Sequence, residues 1–176
     1  MAKASYKELM NNITTFIFDV DGVLTDGTIM VTTAGEMYRN MNIKDGYALK
    51  SAILAGYNIC IISGGSNEGV RKRLEGLGIT DIYLGAHQKI LPFETYCKQK
   101  NINPNEVLYM GDDIPDLPVM ELAGIAACPQ DAAPEVKDLS EYISPIKGGK
   151  GCGRDVIEQV MRVQGKWMTQ FEAKYD

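Results

Sequence analysis

Phe16-Ile17-Phe18-Asp19-Val20-Asp21-Gly22-Val23-Leu24-Thr25-Asp26 decides how this chain is read. The stretch starts as an apolar run of the kind that fills a strand buried on both faces, then breaks into two carboxylates one residue apart and a glycine. Carboxylates at the C-terminal end of a central parallel strand lie at the crevice where open α/β sheets bind their ligands. Two acids this close repel each other unless a cation sits between them, and oxygen donors at the mouth of a sheet suit a hard ion such as Mg2+. An aspartate placed there is also a competent covalent nucleophile toward phosphorus. A strand ending in an Asp-Gly turn explains the same residues without any chemistry, so the rest of the chain has to decide.

Working outward, Val107-Leu108-Tyr109-Met110 is a second apolar run that breaks into acids, Gly111-Asp112-Asp113-Ile114-Pro115-Asp116. Asp113, Pro115 and Asp116 suit the first turn of a helix, which accounts for part of the acidity. Two strands that both end in paired acids are harder to explain by structure alone. Between them, the β-branched run Tyr57 to Ile62 ends in Ser63-Gly64-Gly65-Ser66-Asn67 before a helix restarts. A strand, a tight turn and a helix start offer backbone N–H groups to a phosphate, although Ser63 alone reads equally well as a local cap. Asp81 to Gly85 is a further short strand, and Gln88-Lys89 opens the next helix. A lysine at a helix N-terminus opposes the macrodipole, so Lys89 calls for an anionic partner. His87, without partner spacing, reads as a surface or packed loop residue.

Strands and helices alternate almost throughout, which predicts an α/β fold with a doubly wound parallel sheet and right-handed crossovers. Its loops would gather Asp19, Asp21, Ser63, Lys89 and Asp112 at one edge. Residues 28–41 alternate around a turn at Thr33 to Glu36 and read as a β-hairpin flap over that edge. Ser5 to Met10 suggests a short helix, and Asp45 is the expected N-cap of a helix closed by Gly56. Ile125 to Cys128 is the last core strand, with Tyr142-Ile143 a candidate edge strand. The tract Lys147 to Arg154 is glycine-rich and basic, fitting a flexible connector or an anion-contacting loop. A final helix is expected from about Asp155, followed by a tail whose Trp167 and Phe171 should pack on the chain's own body or on a neighbouring subunit.

Composition excludes several classes. The 176 residues, 45% hydrophobic and 23% charged, fit a single domain over 1–176 with one sizeable core. With a net charge of −5 and no basic stripe along any helix, nucleic acid is not the expected partner. No apolar run reaches membrane-span length and the first residues lack a signal-peptide core, so a cytoplasmic location is expected. The four cysteines are scattered without a C-x-x-C pair and His87 is the one histidine, which excludes a disulfide framework, a zinc site and any multi-histidine metal centre.

Asp19 to Gly27 resembles the first motif of the haloacid dehalogenase superfamily, and Val-Leu-Thr-Asp-Gly within it resembles the 3-deoxy-D-manno-octulosonate 8-phosphate phosphatase branch. Ser63, Lys89 and the Gly111 to Asp116 acids follow in the order of the other three motifs, over residues 16–120. The Gly-Gly-Lys-Gly stretch extends the likeness to about Gly165. The resemblance implies a Rossmann-like core without a cap domain, because a hairpin and one helix fill the chain from Asp19 to Ser63, and a helix and a strand fill it from Ser63 to Lys89. It implies a Mg2+-dependent phosphomonoesterase of lipopolysaccharide biosynthesis, with Asp19 as nucleophile and Asp21 as general acid and base. Mg2+ would sit on Asp19, the Asp21 carbonyl and Asp112, with Asp113 and Asp116 as supporting acids behind it. Ser63, Gly64 and Lys89 would bind the phosphate, and Thr25 and Arg154 the sugar acid. The branch also implies a homotetramer in which the flap hairpins form a barrel and the segment 147–176 of one subunit reaches a neighbour's site. Two alternatives stand beside this: a phosphatase for a nine-carbon keto-deoxy sugar acid, and a non-catalytic metal-binding scaffold tetramer. One departure bears on the first, since Ser63-Gly64-Gly65 stands where the branch commonly has Thr-Gly-Arg.

Overall fold

The structure is a computed structural model that describes residues 5–168, so Phe171 and the first four residues of the lead-in lie outside the described residues. A capping box starts the chain: the Ser5 side chain accepts from the Glu8 N–H and Glu8 returns the bond to the Ser5 N–H, opening α1 (Tyr6–Met10). Four consecutive fully buried residues then form β1 (Thr15–Phe18). The hairpin follows as two short exposed strands, β2 (Met30–Val31) and β3 (Met37–Tyr38), paired antiparallel.

From there helices and strands alternate: α2 (Ile43–Leu54), β4 (Asn58–Ile62), α3 (Glu68–Gly76), β5 (Asp81–Tyr83) and α4 (Ile90–Lys100). A 3-10 turn at Pro104–Glu106 leads into β6 (Val107–Met110), and a second one at Ile114–Asp116 leads into α5 (Leu117–Met120). The chain closes with β7 (Ile125–Cys128), α6 (Pro134–Leu139), β8 (Tyr142–Ile143) and α7 (Cys152–Val163). The main sheet is parallel throughout, in the order β5-β4-β1-β6-β7-β8.

Alternation along β1 splits the core into two layers, because successive side chains leave a strand on opposite faces. Phe16 and Phe18 face Leu49, Leu74 and Val156 on the side of α2, α3 and α7. Ile17 faces Phe93, Tyr109 and Val119 on the side of α4 and α5. Truncating a ring such as Phe16 in this packing costs about 3–5 kcal/mol, so the strand that carries Asp19 is also the mechanical centre of the fold. The chain builds outward from β1 to β4 and β5, then returns to place β6 on the other side of β1. The loops after β1 and β6 therefore part at the switch point, where open α/β sheets form their binding crevice. Among the described residues no inserted cap domain occurs, and only α3 and β5 separate Ser63 from Lys89.

Two expectations need correction. Asn42, not Asp45, caps α2: its side chain accepts from the Lys44 N–H at 2.8 Å. Asp45 instead turns inward and caps α7, accepting the Arg154 N–H at 2.6 Å. The glycine-rich tract is no flexible connector either. The Gly149 N–H donates to the Val23 carbonyl at 2.9 Å, and a Cβ on Gly148 would overlap the Gly22 carbonyl oxygen. Trp167 packs on the body of its own chain, edge-on to Tyr47 at 6.5 Å between ring centroids.

Asp45 carries a testable stability cost. Its Oδ2 is buried without a partner, and burial pushes its pKa from 3.8 up to about 6 against the opposing Arg154 N–H and charge. The folded chain thus holds this proton more tightly than the unfolded chain. The ionised carboxylate costs stability above pH 6, and that cost fades as the pH falls toward 4. Asp45→Asn keeps the acceptor for Arg154 and removes the charge. It should stabilise the protein by roughly 1–3 kcal/mol at pH 8 and by almost nothing at pH 4, read by thermal melts. A pH-independent difference would assign the effect to something other than the buried charge.

Candidate active site

The C-terminal edge of β1, β4, β5 and β6 opens into a cleft of about 390 Å³ lined by Asp19, Asp21, Ser63, Lys89, Asp112 and Asp116, among others. Asp19 ends β1 and is 6% exposed; one carboxylate oxygen accepts its neighbour's Val20 N–H at 2.6 Å and the other meets the Lys89 ammonium at 2.7 Å. The carbonyl of Val20 accepts the N–H groups of Val23, Leu24 and Thr25, which winds the chain into a tight loop. Gly22 is obligatory there. It has φ of +87°, and a Cβ would collide with the Asp112 carboxylate.

Lys89 answers the expectation of an anionic partner with two. Its ammonium lies 2.7 Å from both Asp19 and Asp116 and is almost fully buried. Burial works to lower its pKa, but the two carboxylates outweigh burial and hold it above the ordinary lysine value. Asp116 is satisfied on all sides: one oxygen takes Lys89 and the Tyr109 hydroxyl, each at 2.7 Å, and the other takes the N–H groups of Asp112 and Asp113. Asp113 is exposed and accepts from the Ile114 N–H at 2.8 Å. Ser63 is buried at the end of β4, its hydroxyl accepting the Gly65 N–H at 3.3 Å.

Carboxyl oxygens of Asp19, Asp112 and Asp116 all lie within 4.8 Å of one another. Burial, and then the neighbouring acids, raise Asp19 to about 6 and Asp112 to about 7, with Lys89 opposing both. Such crowding is what a divalent cation relieves, and an all-oxygen donor set selects a hard one. Each Asp116 oxygen already accepts two donors, whereas each Asp19 oxygen meets one, so Asp19 together with Asp112 keeps lone pairs for the ion.

The structure thus brings Asp19, Asp21, Ser63, Gly64, Lys89, Asp112, Asp113 and Asp116 to one cleft. It does not bring Thr25 or Arg154 there. Thr25 is fully buried, and its hydroxyl braces the loop by accepting from the Gly22 and Gly27 N–H groups and donating to Asp21. No surface of it is left for a substrate, which corrects the expectation of a substrate contact. Arg154 lies over the Tyr47 and Trp167 rings, with Glu158 at 3.5 Å. His87 lines the rim of the cleft and is exposed.

Sequence reasoning missed two participants. Tyr109 looks like one more apolar residue of β6, although a buried tyrosine hydroxyl usually finds a partner, and that was the available signal. Arg39, just past β3, grips Asp21 with Nε to Oδ1 at 2.7 Å and Nη2 to Oδ2 at 3.0 Å.

The pattern of a haloacid dehalogenase-like hydrolase matches residues 78–151. The 3-deoxy-D-manno-octulosonate 8-phosphate phosphatase KdsC of Escherichia coli strain B is 37% identical over 166 residues, covering 94% of this chain and 85% of that protein. The chain belongs to that phosphatase family, within the haloacid dehalogenase superfamily. Solved family structures share its fold. The Yersinia pestis phosphatase superposes with a TM-score of 0.91 at 32% identity, covering 93% of this chain and 88% of that one. The Moraxella catarrhalis phosphatase, solved in complex with magnesium ion, phosphate ion and KDO, superposes with a TM-score of 0.89 at 30% identity, covering 92% of each chain.

Proposed function

We propose that the protein is a Mg2+-dependent phosphatase that hydrolyses 3-deoxy-D-manno-octulosonate 8-phosphate to the free sugar acid and phosphate, a step of lipopolysaccharide biosynthesis. The observation that carries this reading is the convergence of Asp19, Ser63, Lys89 and Asp112 on one cleft in a chain of that family. The magnesium-containing Moraxella catarrhalis relative supports the choice of ion.

In the first displacement a carboxylate oxygen of Asp19 bonds to phosphorus while the bond from phosphorus to the sugar oxygen breaks. Asp21 gives that oxygen its proton. In the second, water bonds to phosphorus, its proton passes to Asp21, and the bond to Asp19 breaks. Lys89 and Ser63 bind the phosphoryl oxygens, where fixed donors matter most as charge shifts in the transition state. Asp19 and Asp112, with the Asp21 carbonyl, would hold Mg2+, which supplies positive charge next to the transferring group. Asp116 keeps Lys89 aimed, and Asp113 closes the turn behind Asp112.

The single unit 1–176 carries the 28–41 hairpin as a flap. Ile29, Met30, Val31, Met37 and Tyr38 are all exposed on it, an apolar surface that supports a homotetramer built through the hairpins, with segment 147–176 near a neighbour's site. Among the described residues no helix is long and apolar enough to cross a membrane, in keeping with a cytoplasmic enzyme.

The test is phosphate release from the eight-carbon substrate beside a nine-carbon analogue and hexose phosphates. Preference for the eight-carbon substrate is expected; preference for the nine-carbon one would point to Gly65, whose missing side chain widens the second motif, and equal turnover of all would overturn the assignment. Chelation of Mg2+ should reduce the rate to background and its return should restore it. Protons compete with the ion for Asp19 and Asp112, raised to about 6 and about 7, so half-maximal activity should need more Mg2+ at pH 6 than at pH 8. An unchanged Mg2+ requirement across that range would count against these two ligands.

A further inference from the structure

We propose that Asp45, together with Asn42, is a positioning residue for Asp21. From the first turn of α2 the two side chains hold the start of α7 against the loop after β1, and that loop sets where the Asp21 carboxylate points. This rests on the reading of Asp21 as the acid that protonates the leaving oxygen.

Asp19 and Asp21 are two positions apart, yet they are held by different means. Asp19 directly follows β1 and its N–H donates to the Met110 carbonyl of β6 at 3.0 Å, so the sheet itself fixes the nucleophile. Asp21 lies inside the loop wound around the Val20 carbonyl, and its carboxylate meets the Thr25 hydroxyl of that loop at 3.4 Å and Arg39 from the hairpin side. A shift of the loop therefore moves the acid and leaves the nucleophile in place.

The loop is a run of turns and keeps its shape by resting on the start of α7. The Cys152 thiol donates to the Val23 carbonyl at 3.1 Å and the Gly149 N–H to the same carbonyl at 2.9 Å. A Cβ on Gly149 would overlap the backbone of Thr25 and Asp26, so the two segments lie in direct contact.

The start of α7 has no cap of its own. Its N-cap residue is Gly151, which brings no side chain, so the N–H groups of the first turn need a partner from elsewhere. Asp45 supplies one from α2 by accepting the Arg154 N–H at 2.6 Å, and Asn42 donates to the Gly149 carbonyl at 3.2 Å. Gly153 shows how closely the three layers stack: a Cβ there would stand 3.2 Å from both Asp45 Oδ1 and Leu24 Cδ2. Leu24, Asp45, Cys152 and Gly153 are all buried within one subunit, so this chain of contacts does not depend on what a neighbour adds to the cleft. Of the two Asp45 oxygens only Oδ1 is engaged, so an amide can take over the contact.

The experiment measures kcat/KM in saturating Mg2+, a quantity that counts the steps up to departure of the leaving group and so reports the acid rather than the later attack of water. Wild type, Asp45→Leu, Asp45→Asn, Asn42→Asp and Asp21→Asn are each assayed with the eight-carbon sugar-acid phosphate and with p-nitrophenyl phosphate, whose nitrophenolate departs without a proton. Asp45→Leu removes the acceptor and should lower the value about 10-fold or more on the sugar phosphate but no more than about 3-fold on the aryl phosphate, as expected for an acid moved by a fraction of an ångström. Asn42→Asp keeps the cap on the Lys44 N–H, loses the donor to Gly149, and should show the same split in smaller size. Asp45→Asn should return both values to within about 3-fold of the wild type. Equal losses on the two substrates in Asp45→Leu, beside a split in Asp21→Asn, would reduce Asp45 to a brace of the fold and overturn the proposal alone. Absence of a split in Asp21→Asn would overturn the reading of Asp21 as the acid and this proposal with it. A wild type that turns over hexose phosphates but not the sugar-acid phosphate would overturn the substrate reading only, and the same comparison is then made with a hexose phosphate, which also leaves as an alkoxide. Thermal melts separate a folding defect from each result, and Asn42→Asp carries the comparison if Asp45→Leu does not fold.

Discussion

Asp19→Asn should lower kcat for phosphate release by at least about 10⁴-fold while leaving the fold intact. The reaction would lose its proposed nucleophile, and residues that act as one catalytic unit lose nearly everything when the bond-forming member goes. Stability should hold because the change removes one of three crowded carboxylates. Lys89 keeps Asp116 at 2.7 Å, and the asparagine oxygen can still accept the Val20 N–H. Melting curves and phosphate-release assays on the same preparation make the check. A variant that folds and still turns over within 100-fold of the wild type would remove Asp19 from the role of nucleophile.

Lys89→Met reaches the same cleft from the opposite side. Methionine fills the space of the lysine stem, but Asp19 and Asp116 are left buried without their shared cation. Removing one partner from a buried ion network costs about 3–5 kcal/mol, because the remaining charges stay desolvated and unpaired. For a chain of this size that lowers the melting temperature by roughly 6–20 °C. Added Mg2+ should recover part of the loss, since the ion restores positive charge beside Asp19. Activity should stay at background even then, because the phosphoryl oxygens have lost a donor. A melting temperature within 2 °C of the wild type would show that Lys89 is not the charge that holds the acids together.

Much of this site was legible because the acids that end β1 and β6 announce themselves locally. An apolar run that fills β1 or β6 and then breaks into carboxylates identifies Asp19 and Asp112 without any knowledge of tertiary contacts. Lys89 was legible through its conflict with the helix dipole. The readings that failed depended on contacts far along the chain. Asn42 and Asp45 are both good caps, and only the packing of α7 against α2 shows that Asp45 is needed at Arg154, more than a hundred positions later. Arg39 reads as an ordinary polar residue at the base of a hairpin, because nothing in Tyr38-Arg39-Asn40 reveals that the loop after β1 lies within its reach. Thr25 sits in the most informative stretch of the chain, yet whether a hydroxyl there faces solvent or braces the turn is set by the path of the loop around Val20.

The loop after Asp19 is built from residues 19–27 but completed by residues 148–152. Gly148 presses against the Gly22 carbonyl, the Gly149 N–H donates to the Val23 carbonyl, and the Cys152 thiol meets that Val23 carbonyl at 3.1 Å. Holding that loop in shape therefore depends on residues more than a hundred positions further along the chain. Deleting residues 148–152 should therefore lower activity even though Asp19, Asp21, Ser63, Lys89 and Asp112 are all present.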